Sequence, residues 1–295
     1  MLYENTLTEL IIRMLKVPLQ DYKGGTADSA GAVGKTTLVD SARDEPDSYF
    51  NNTTPQSRIR ITSTTDGAAP VGEERKITGF ANSGGTLTFA ALTAATAAGD
   101  KYVILSEYSW AELAEAINMV IDSLAEKALL YKIDETIELQ DDTYEYVIPA
   151  GFVTIHRLAQ EDDNGDYLDP IPPQHYRIIA GEMPRIHFYR YPVEMQFADH
   201  YYGTLWVESD LVDGRHLRIE GYGRQERLET DNSVCYLNPN YIVYKAAAYV
   251  LGARVTSADH DAYKVRRDEA NAEAEALLKG LLITQALPDS KKVHK

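Results

Sequence analysis

The chain has 295 residues and a mass of 32.9 kDa; 44% of its residues are hydrophobic and 25% are charged. This composition is typical of a globular protein with one or two cores, and it excludes a chain disordered throughout. The longest apolar runs, such as Ala246 to Ala253, are much shorter than the roughly 20 residues that cross a membrane. A single cysteine, Cys235, excludes an intrachain disulfide and a cysteine-based zinc cage.

Acidic residues dominate the charge. The chain has 45 Asp and Glu against 29 Lys and Arg, a formal net charge of −16 and a sequence pI of about 4.8. Proteins that hold nucleic acid need an excess of basic residues to displace counterions from phosphates. The balance therefore argues against tight DNA binding. It is compatible with a surface that DNA passes, because like charges repel. The first residues lack the basic and apolar stretches of a secretory signal, so we expect a protein made in a reducing cytoplasm.

The N-terminal segment predicts a short helix. Apolar residues recur at three- and four-residue spacing from Leu7 to Leu15, Asn5 or Thr6 is placed to cap the start, and Pro18 ends the pattern. Between Asp21 and Asp100 the composition changes to Gly, Thr, Ala and Ser, with short extended runs separated by turn residues. This segment predicts a small all-β module. Its expected strands are 58–61, 75–77, 86–89 and 101–105.

A strong helix follows this module. Ser109 and Glu112 have the spacing of a capping box, and apolar residues from Leu113 to Ala128 form one stripe that ends near Tyr131. A second β region is then expected from about Ile133 to Leu228, rich in aromatic residues. Its expected strands are 144–148, 186–189, 204–207 and 217–222.

Two helices are expected near the C-terminus. Asn238 caps the first and Pro239 occupies its first position. The second runs from about Asp259 to Lys279, with Ala270, Ala274, Leu277 and Leu278 on one face and Gly280 as its stop. The tail from Leu281 to Lys295 has a basic tip and is typical of an extended arm.

This order of elements predicts an α+β fold in which four helices form a discontinuous bundle, with two β-rich modules inserted between them. Isolated helices of this length are only marginally stable, so we expect the four helices to pack against one another. The predicted bundle comprises residues 1–20, 107–132 and 238–284. The predicted insertions are a small β module at 21–106 and a sandwich-like or barrel-like module at 133–237, and the arm is 285–295.

Two motifs resemble ligand-binding loops. The run from Gly31 to Thr37 contains Gly-Lys-Thr, but Ser29 stands where a P-loop has its first glycine and no buried strand precedes it. The run from Asp162 to Asp166 resembles a calcium loop, but Gln160 and Ile171 occupy its essential end positions. We therefore predict a loop without nucleotide for the first run and an Asn-Gly turn for the second.

No catalytic, cofactor or metal site is predicted. The seven histidines are scattered without metal-ligand spacing, and no Gly-x-Ser-x-Gly elbow occurs. Cys235 precedes a helix start, which could lower its pKa, but a buried structural thiol is the favoured interpretation. An aromatic cluster could bind sugar, although strand packing and subunit contact explain it more simply. Its members are Tyr189, Tyr191, Tyr201, Tyr202 and Trp206.

The whole layout resembles a known family. A short N-terminal helix, a capped central helix, Asn238-Pro239-Asn240-Tyr241 at the start of the third, a long Ala/Glu-rich fourth helix and an extended tail are similar to the head-to-tail adaptor (connector) proteins of tailed bacteriophages. The run from Gly34 to Ser41 and the runs that follow it are similar to a β module found in many phage virion proteins. Those following runs are Tyr49-Phe50, Arg58 to Ile61, Arg75 to Phe80 and Ala97 to Tyr102.

The resemblance implies a structural protein of the virion neck, assembled in the bacterial cytoplasm. It implies a ring of about twelve copies beneath the portal protein, joined to a stopper, tail-tube or tail-completion protein, with a channel through which genomic DNA passes without sequence-specific contact. The helices would form the ring wall. The tail would be the portal-docking arm through Leu281, Leu282, Ile283, Leu287, Lys291, Lys292 and Lys295.

Three alternatives stay open. The protein could be a head-tail stopper or tail-completion protein one step further down the neck. In a different class, it could be a carbohydrate- or receptor-binding tail module, or a hydrolase whose triad is separated in sequence. Mass distinguishes these classes first, because a ring has about ten copies whereas enzymes usually have two or four.

Overall fold

The structure is a computed structural model that describes residues 3–53, 55–65, 70–125, 127–189, 211–255, 260–278 and 291–292. These ranges contain four α-helices and several β-sheets, so the predicted α+β class is confirmed. The chain divides into two compact units. Unit 1 comprises Met1–Ser123 and Arg227–Lys279, and unit 2 comprises Leu124–Glu226 and Gly280–Lys295. None of the described helices has the length and apolarity needed to cross a membrane.

Helix α1 (Leu7–Lys16) begins at a capping box. The Thr6 hydroxyl accepts the Glu9 amide at 3.2 Å, and the Glu9 carboxylate accepts the Thr6 amide at 2.8 Å. This identifies Thr6 rather than Asn5 as the cap. The predicted apolar face is buried as a whole. Just before the helix, β1 (Asn5–Thr6) pairs antiparallel with β14 (Val234–Cys235).

Helix α2 (Trp110–Ser123) starts as predicted, with the Glu112 amide donating to the Ser109 hydroxyl at 3.2 Å. The prediction that it extends to near Tyr131 is wrong. The helix ends at Ser123, and the chain enters the strand β8 (Leu130–Glu138), where Tyr131 pairs with Tyr222. Leu124 and Ala128 remain buried although they lie beyond the helix, which explains why the apolar stripe continues past its end.

Helices α3 (Pro239–Arg254) and α4 (His260–Leu278) confirm the two predicted C-terminal helices. The Asn238 side chain accepts the Asn240 amide at 3.0 Å, and Pro239 occupies the first helical position. Helix α3 contacts α1, α2 and α4. It is buried on several sides, which matches its nearly uniform apolar character.

The first β region forms a six-stranded sheet in unit 1. Its strands are β2 (Lys23–Thr26), β3 (Thr37–Val39), β4 (Arg58–Ser63), β5 (Glu74–Ala81), β6 (Thr86–Phe89) and β7 (Lys101–Leu105), in the order β2-β7-β4-β5-β6-β3. An antiparallel bridge between Ser29 and Val39 joins the chain after β2 to β3, so the two edges meet and the sheet closes into a small barrel. Its interior is apolar. The largest fully buried side chains of this core include Phe50, Tyr102, Leu38, Ile59, Ile61 and Ile77.

One partly buried polar cluster ties the barrel to the helices of unit 1. The Asp231 carboxylate accepts a hydrogen bond from Arg60 of β4 at 2.5 Å and another from the Trp110 indole of α2 at 3.0 Å. The Asp231 carbonyl accepts the Thr8 amide of α1 at 3.2 Å. The Arg60 guanidinium also lies 4.4 Å from the Trp110 ring centroid. A single loop residue therefore connects one strand and two helices.

Unit 2 contains two sheets that share one core. The four-stranded sheet has the order β15-β10-β13-β8, with β10 at Phe152–Gln160, β13 at His216–Gly223 and β15 at Lys291–Lys292. The three-stranded sheet has the order β11-β12-β9, with β9 at Glu145–Val147, β11 at Tyr176–Ile179 and β12 at Arg185–Phe188. A short 3-10 helix (Pro173–His175) precedes β11. The predicted strand at 204–207 lies outside the described residues.

Candidate functional site

Helix α4 is the most weakly covered helix of unit 1. Of residues 261–278 only Ala270 and Ala274 are buried. Two alanines of α3, Ala246 and Ala247, are buried as well, and small side chains of this kind allow two helices to approach closely. The face predicted to be apolar is therefore the face that is covered. The rest of the helix is available for a partner.

A second stripe runs along the uncovered side of α4. Ala262, Val265, Glu269, Ala272 and Ala276 are all exposed, and their separations of three and four residues place them on one face. Val265 is 56% exposed. We call these five residues the α4 face. Four of them are small or apolar, which is the pattern of a helix that packs on both sides.

The charges of α4 are separated along its length. Lys264, Arg266 and Arg267 lie before the midpoint, and Glu269, Glu273 and Glu275 lie at or beyond it; Asp261 and Asp268 are the acidic residues of the first half. Arg266 donates to the Leu19 carbonyl beyond the end of α1. Lys245 of α3 lies 3.6 Å from the Glu275 carboxylate. Within the described part of the chain, Lys264, Glu269 and Glu273 form no ion pair.

A groove of about 250 Å³ lies beside the α4 face. Its apolar wall includes Val17, which is 51% exposed, and Tyr244 of α3. Arg266 also lines it, together with Glu269 and Glu273, which form no ion pair among the described residues, so two carboxylates and one guanidinium lie at its rim. A groove with an apolar wall and an acidic rim suits the stem and charged head of a Lys or Arg side chain. The α4 face and this groove together form the candidate subunit interface.

Most of the predicted portal-docking arm lies outside the described residues. This applies to Leu281, Leu282, Ile283, Leu287 and Lys295. The backbone of Lys291 and Lys292 forms the short strand β15, which pairs antiparallel with β10 at Ile155 and Thr154 respectively. The docking role of the arm stays a prediction.

The P-loop-like run has the geometry of a surface loop, as predicted. Lys35 has a φ of 61°, and its ammonium donates to the Thr93 carbonyl at 2.6 Å. Thr37 begins strand β3, whereas a P-loop leads into a helix whose amides face the phosphates. The Thr37 hydroxyl accepts the Ala32 amide at 2.7 Å, so it is used within the loop.

The calcium-loop-like run is a turn, again as predicted. The Asp162 carboxylate accepts the amides of Asn164 and Asp166, each at 2.8 Å, and Gly165 has a φ of 83°. Hydrogen bonds from these amides hold the pKa of Asp162 below its usual range. The carboxylate therefore serves the local turn.

Cys235 is a buried structural thiol. It lies in β14 opposite Asn5 and is fully inaccessible. Burial raises the pKa of the Cys235 thiol to about 11, the opposite of the shift that activates a nucleophilic cysteine. The suggestion that the nearby helix start lowers this pKa is wrong, because desolvation dominates.

An acid–base cluster in unit 2 is internally paired. The Glu220 carboxylate accepts the Tyr131 hydroxyl at 2.7 Å and Arg157 at 2.5 Å. Burial acts to raise the pKa of Glu220, but these two partners outweigh it and hold the pKa below its usual range. Burial and the Glu220 carboxylate raise the pKa of Tyr131 to about 12. The cluster is therefore a set of fixed charges at neutral pH.

The histidines do not assemble a metal centre in the described ranges. His187 lies 3.1 Å from Glu145, and His156 lies 3.9 Å from Glu220. No three His, Cys, Asp or Glu side chains among the described residues are placed to hold one ion. Of the predicted aromatic cluster only Tyr189 is described, with 37% of its surface exposed.

Comparisons with known proteins do not assign the chain to a family. No protein-family model matches the chain, and no curated protein matches it.

Proposed function

We propose that the protein is a structural subunit of a phage neck, a ring-forming adaptor between the portal and the next tail component. The observation that carries the proposal is the α4 face: this long helix is covered on one side, and its other side exposes three alanines, Val265 and Glu269. A helix of 19 residues gains most of its stability from packing, so a second partner for this face is expected.

The proposal includes the finer arrangement of the helices. Helices α1 to α4 act as one discontinuous bundle that forms the wall of the ring. Helix α3 supports this arrangement because it contacts the other three helices. The ring has about twelve copies, and its location is the virion neck.

Charge complementarity supports contact between identical copies. The acidic groove with Glu269 and Glu273 can receive a basic side chain, and Lys264 on the same helix is exposed without an ion pair among the described residues. In a head-to-tail ring each copy presents one of these surfaces to each neighbour. The net charge of −16 also suits a channel that does not retain DNA.

The proposal is tested by the mass of the assembly. Native mass spectrometry and negative-stain imaging of the wild-type protein, alone and mixed with DNA-filled heads, should show rings of about ten or more copies. Val265→Asp should reduce assembly at least tenfold with an unchanged circular dichroism spectrum, because it buries an unpaired carboxylate at the α4 face.

The matched control is Val33→Asp, at a loop position of the barrel that is 96% exposed; assembly should be unaffected. A chain truncated after residue 283 should still form rings but should not join the heads if the C-terminal arm docks to the portal. A wild-type protein that stays monomeric both alone and with heads would overturn the proposal.

A further inference from the structure

A lysine, a carboxamide and a carboxylate meet where α3 packs on α4. The Lys245 ammonium of α3 donates to Asn271 Oδ1 at 3.1 Å, and it also lies 3.6 Å from the Glu275 carboxylate. Asn271 and Glu275 are four residues apart in α4, so they occupy one face of that helix. We call these three residues the amide triad. A primary amine therefore contacts a carboxamide that it can attack, and a carboxylate lies next to the amine.

Partial burial holds the amine at this position. The Lys245 side chain is 20% exposed, although lysine is usually among the most exposed residue types. Its ammonium lies 6.0 Å from the Tyr249 ring centroid. Asn271 is half-buried and follows Ala270, which is 3% exposed. Burial restricts the rotamers of a long side chain, so the lysine stem has little freedom to move the amine away from the carboxamide.

The contact is close to the geometry of an acyl transfer. Asn271 Cγ is bonded to the Oδ1 atom that the amine contacts, and reacting atoms in near-attack arrangements lie about 3–3.5 Å apart. A small rotation of either side chain therefore exchanges the Nζ–Oδ1 contact for an Nζ–Cγ contact. Only the neutral form of a lysine amine is a nucleophile, and on the order of one in a thousand is neutral at pH 7. Effective concentrations of about 10⁵ M or more, reached by well-oriented intramolecular groups, offset this small fraction.

We propose that Lys245 and Asn271 form an isopeptide bond that joins α3 to α4, with Glu275 as the proton relay. Glu275 accepts a proton from the ammonium, and the neutral Nζ then forms a bond to Asn271 Cγ while the C=O π electrons move to Oδ1. The Glu275 carboxyl passes its proton to Asn271 Nδ2, and Nζ releases a second proton to the Glu275 carboxylate. As the electron pair on Oδ1 forms the carbonyl again, the Cγ–Nδ2 bond breaks and ammonia leaves. The product is a secondary amide, and no atom is oxidised or reduced.

The bond supplements the weak packing of α4. Of residues 261–278 only Ala270 and Ala274 are buried, so few apolar contacts hold this helix on α3. A covalent bond between residues 245 and 271 closes a loop and restricts the unfolded chain, as a disulfide does. Helix α4 then stays attached when its noncovalent contacts open. The reaction takes place within one chain, so it does not depend on assembly of the proposed ring.

The test is peptide mapping of the purified full chain by mass spectrometry. The reaction releases one ammonia and lowers the mass by about 17 Da. Trypsin does not cleave after an acylated lysine, so it should release a branched peptide in which residues 228–254 are joined to residues 268–279. The branched peptide decides, because a succinimide at Asn164-Gly165 would lower the mass by the same amount. If the wild-type chain yields no branched peptide, even after prolonged incubation at about pH 9 where more lysine is neutral, the proposal is wrong.

Variants of the amide triad assign the roles. Lys245→Arg keeps the positive charge but removes the nucleophile, so the branched peptide should disappear while the circular dichroism spectrum stays unchanged. The matched control Lys127→Arg changes an exposed lysine outside the triad and should retain the branched peptide. Glu275→Gln should form the bond at least about tenfold more slowly at about pH 7. This deficit should shrink at about pH 9, because hydroxide then deprotonates the amine without the carboxylate. Equal rates for Glu275→Gln and the wild type at both pH values would refute the proton relay.

Discussion

Removal of the Asp231 carboxylate should strongly destabilise unit 1. In Asp231→Ala the Arg60 guanidinium and the Trp110 indole both lose their partner, and Arg60 is only 14% exposed. Breaking a buried ion pair costs about 3–5 kcal/mol, and Asp231 is 24% exposed, so solvent relieves part of this cost. We expect a loss of about 3 kcal/mol in the free energy of unfolding. Asp231→Asn keeps one acceptor and should lose about half as much.

The assay is urea unfolding followed by the fluorescence of Trp110. The chain has two tryptophans, so a Trp206→Phe background makes Trp110 the only reporter. The control is Asp163→Ala. It removes the ion pair between Arg215 and the Asp163 carboxylate, whose side chain is 89% exposed, and it should lower the free energy of unfolding by less than about 1 kcal/mol. If the free energy of unfolding of Asp231→Ala lies within about 0.5 kcal/mol of the wild-type value, the argument that this residue joins the barrel to the helices is refuted.

Two further predictions concern buried side chains. Leu124→Ala should lower the free energy of unfolding by about 2–5 kcal/mol, because Leu124 is 2% exposed. The control Leu168→Ala, at a position that is 71% exposed, should change stability little. Equal urea midpoints for the two variants would contradict this prediction. Cys235 has its pKa raised from 9.0 to about 11, so the stability it contributes is fully present below pH 9 and is lost as the pH rises to 11. The urea midpoint should therefore fall more steeply between pH 9 and 11 in the wild type than in Cys235→Ala, and identical slopes would count against a buried neutral thiol.

The helices could be predicted from the sequence because their signals are local. Thr6 with Glu9, Ser109 with Glu112, and Asn238 with Pro239 all lie within one turn of the helix that they begin. The C-terminal limit of α2 could not be predicted, because a long-range pairing decides it. Tyr131 lies opposite Tyr222, 91 positions later in the chain, and that pairing turns the end of an apolar stripe into a strand.

The same reasoning explains which strands were missed. The strands β4 to β7 contain β-branched and aromatic residues, whereas β2 has the sequence Lys-Gly-Gly-Thr and low intrinsic strand propensity. It forms because β7 lies beside it, and its glycines leave room for Asp40 and Tyr102.

The charge order of α4 favours a partner outside the chain. A helix dipole is stabilised by acidic residues at its N-terminal end and basic residues at its C-terminal end. Helix α4 has Asp261 in its first turn but no basic residue in its last, and along its length Lys264, Arg266 and Arg267 precede Glu269, Glu273 and Glu275. Contacts within the chain account for part of this order. Arg266 donates to the Leu19 carbonyl beyond α1, and the Lys245 ammonium of α3 lies 3.6 Å from the Glu275 carboxylate.

The remaining charges of α4 have no such explanation. Lys264, Glu269 and Glu273 are exposed, and within the described ranges each lacks an ion pair. In the proposed head-to-tail assembly, contact between the basic half of one copy and the acidic groove of the next would pair these charges. An antiparallel two-fold pair of α4 helices would bring the same opposite charges together, so the mass of the assembly distinguishes the proposed ring from a dimer.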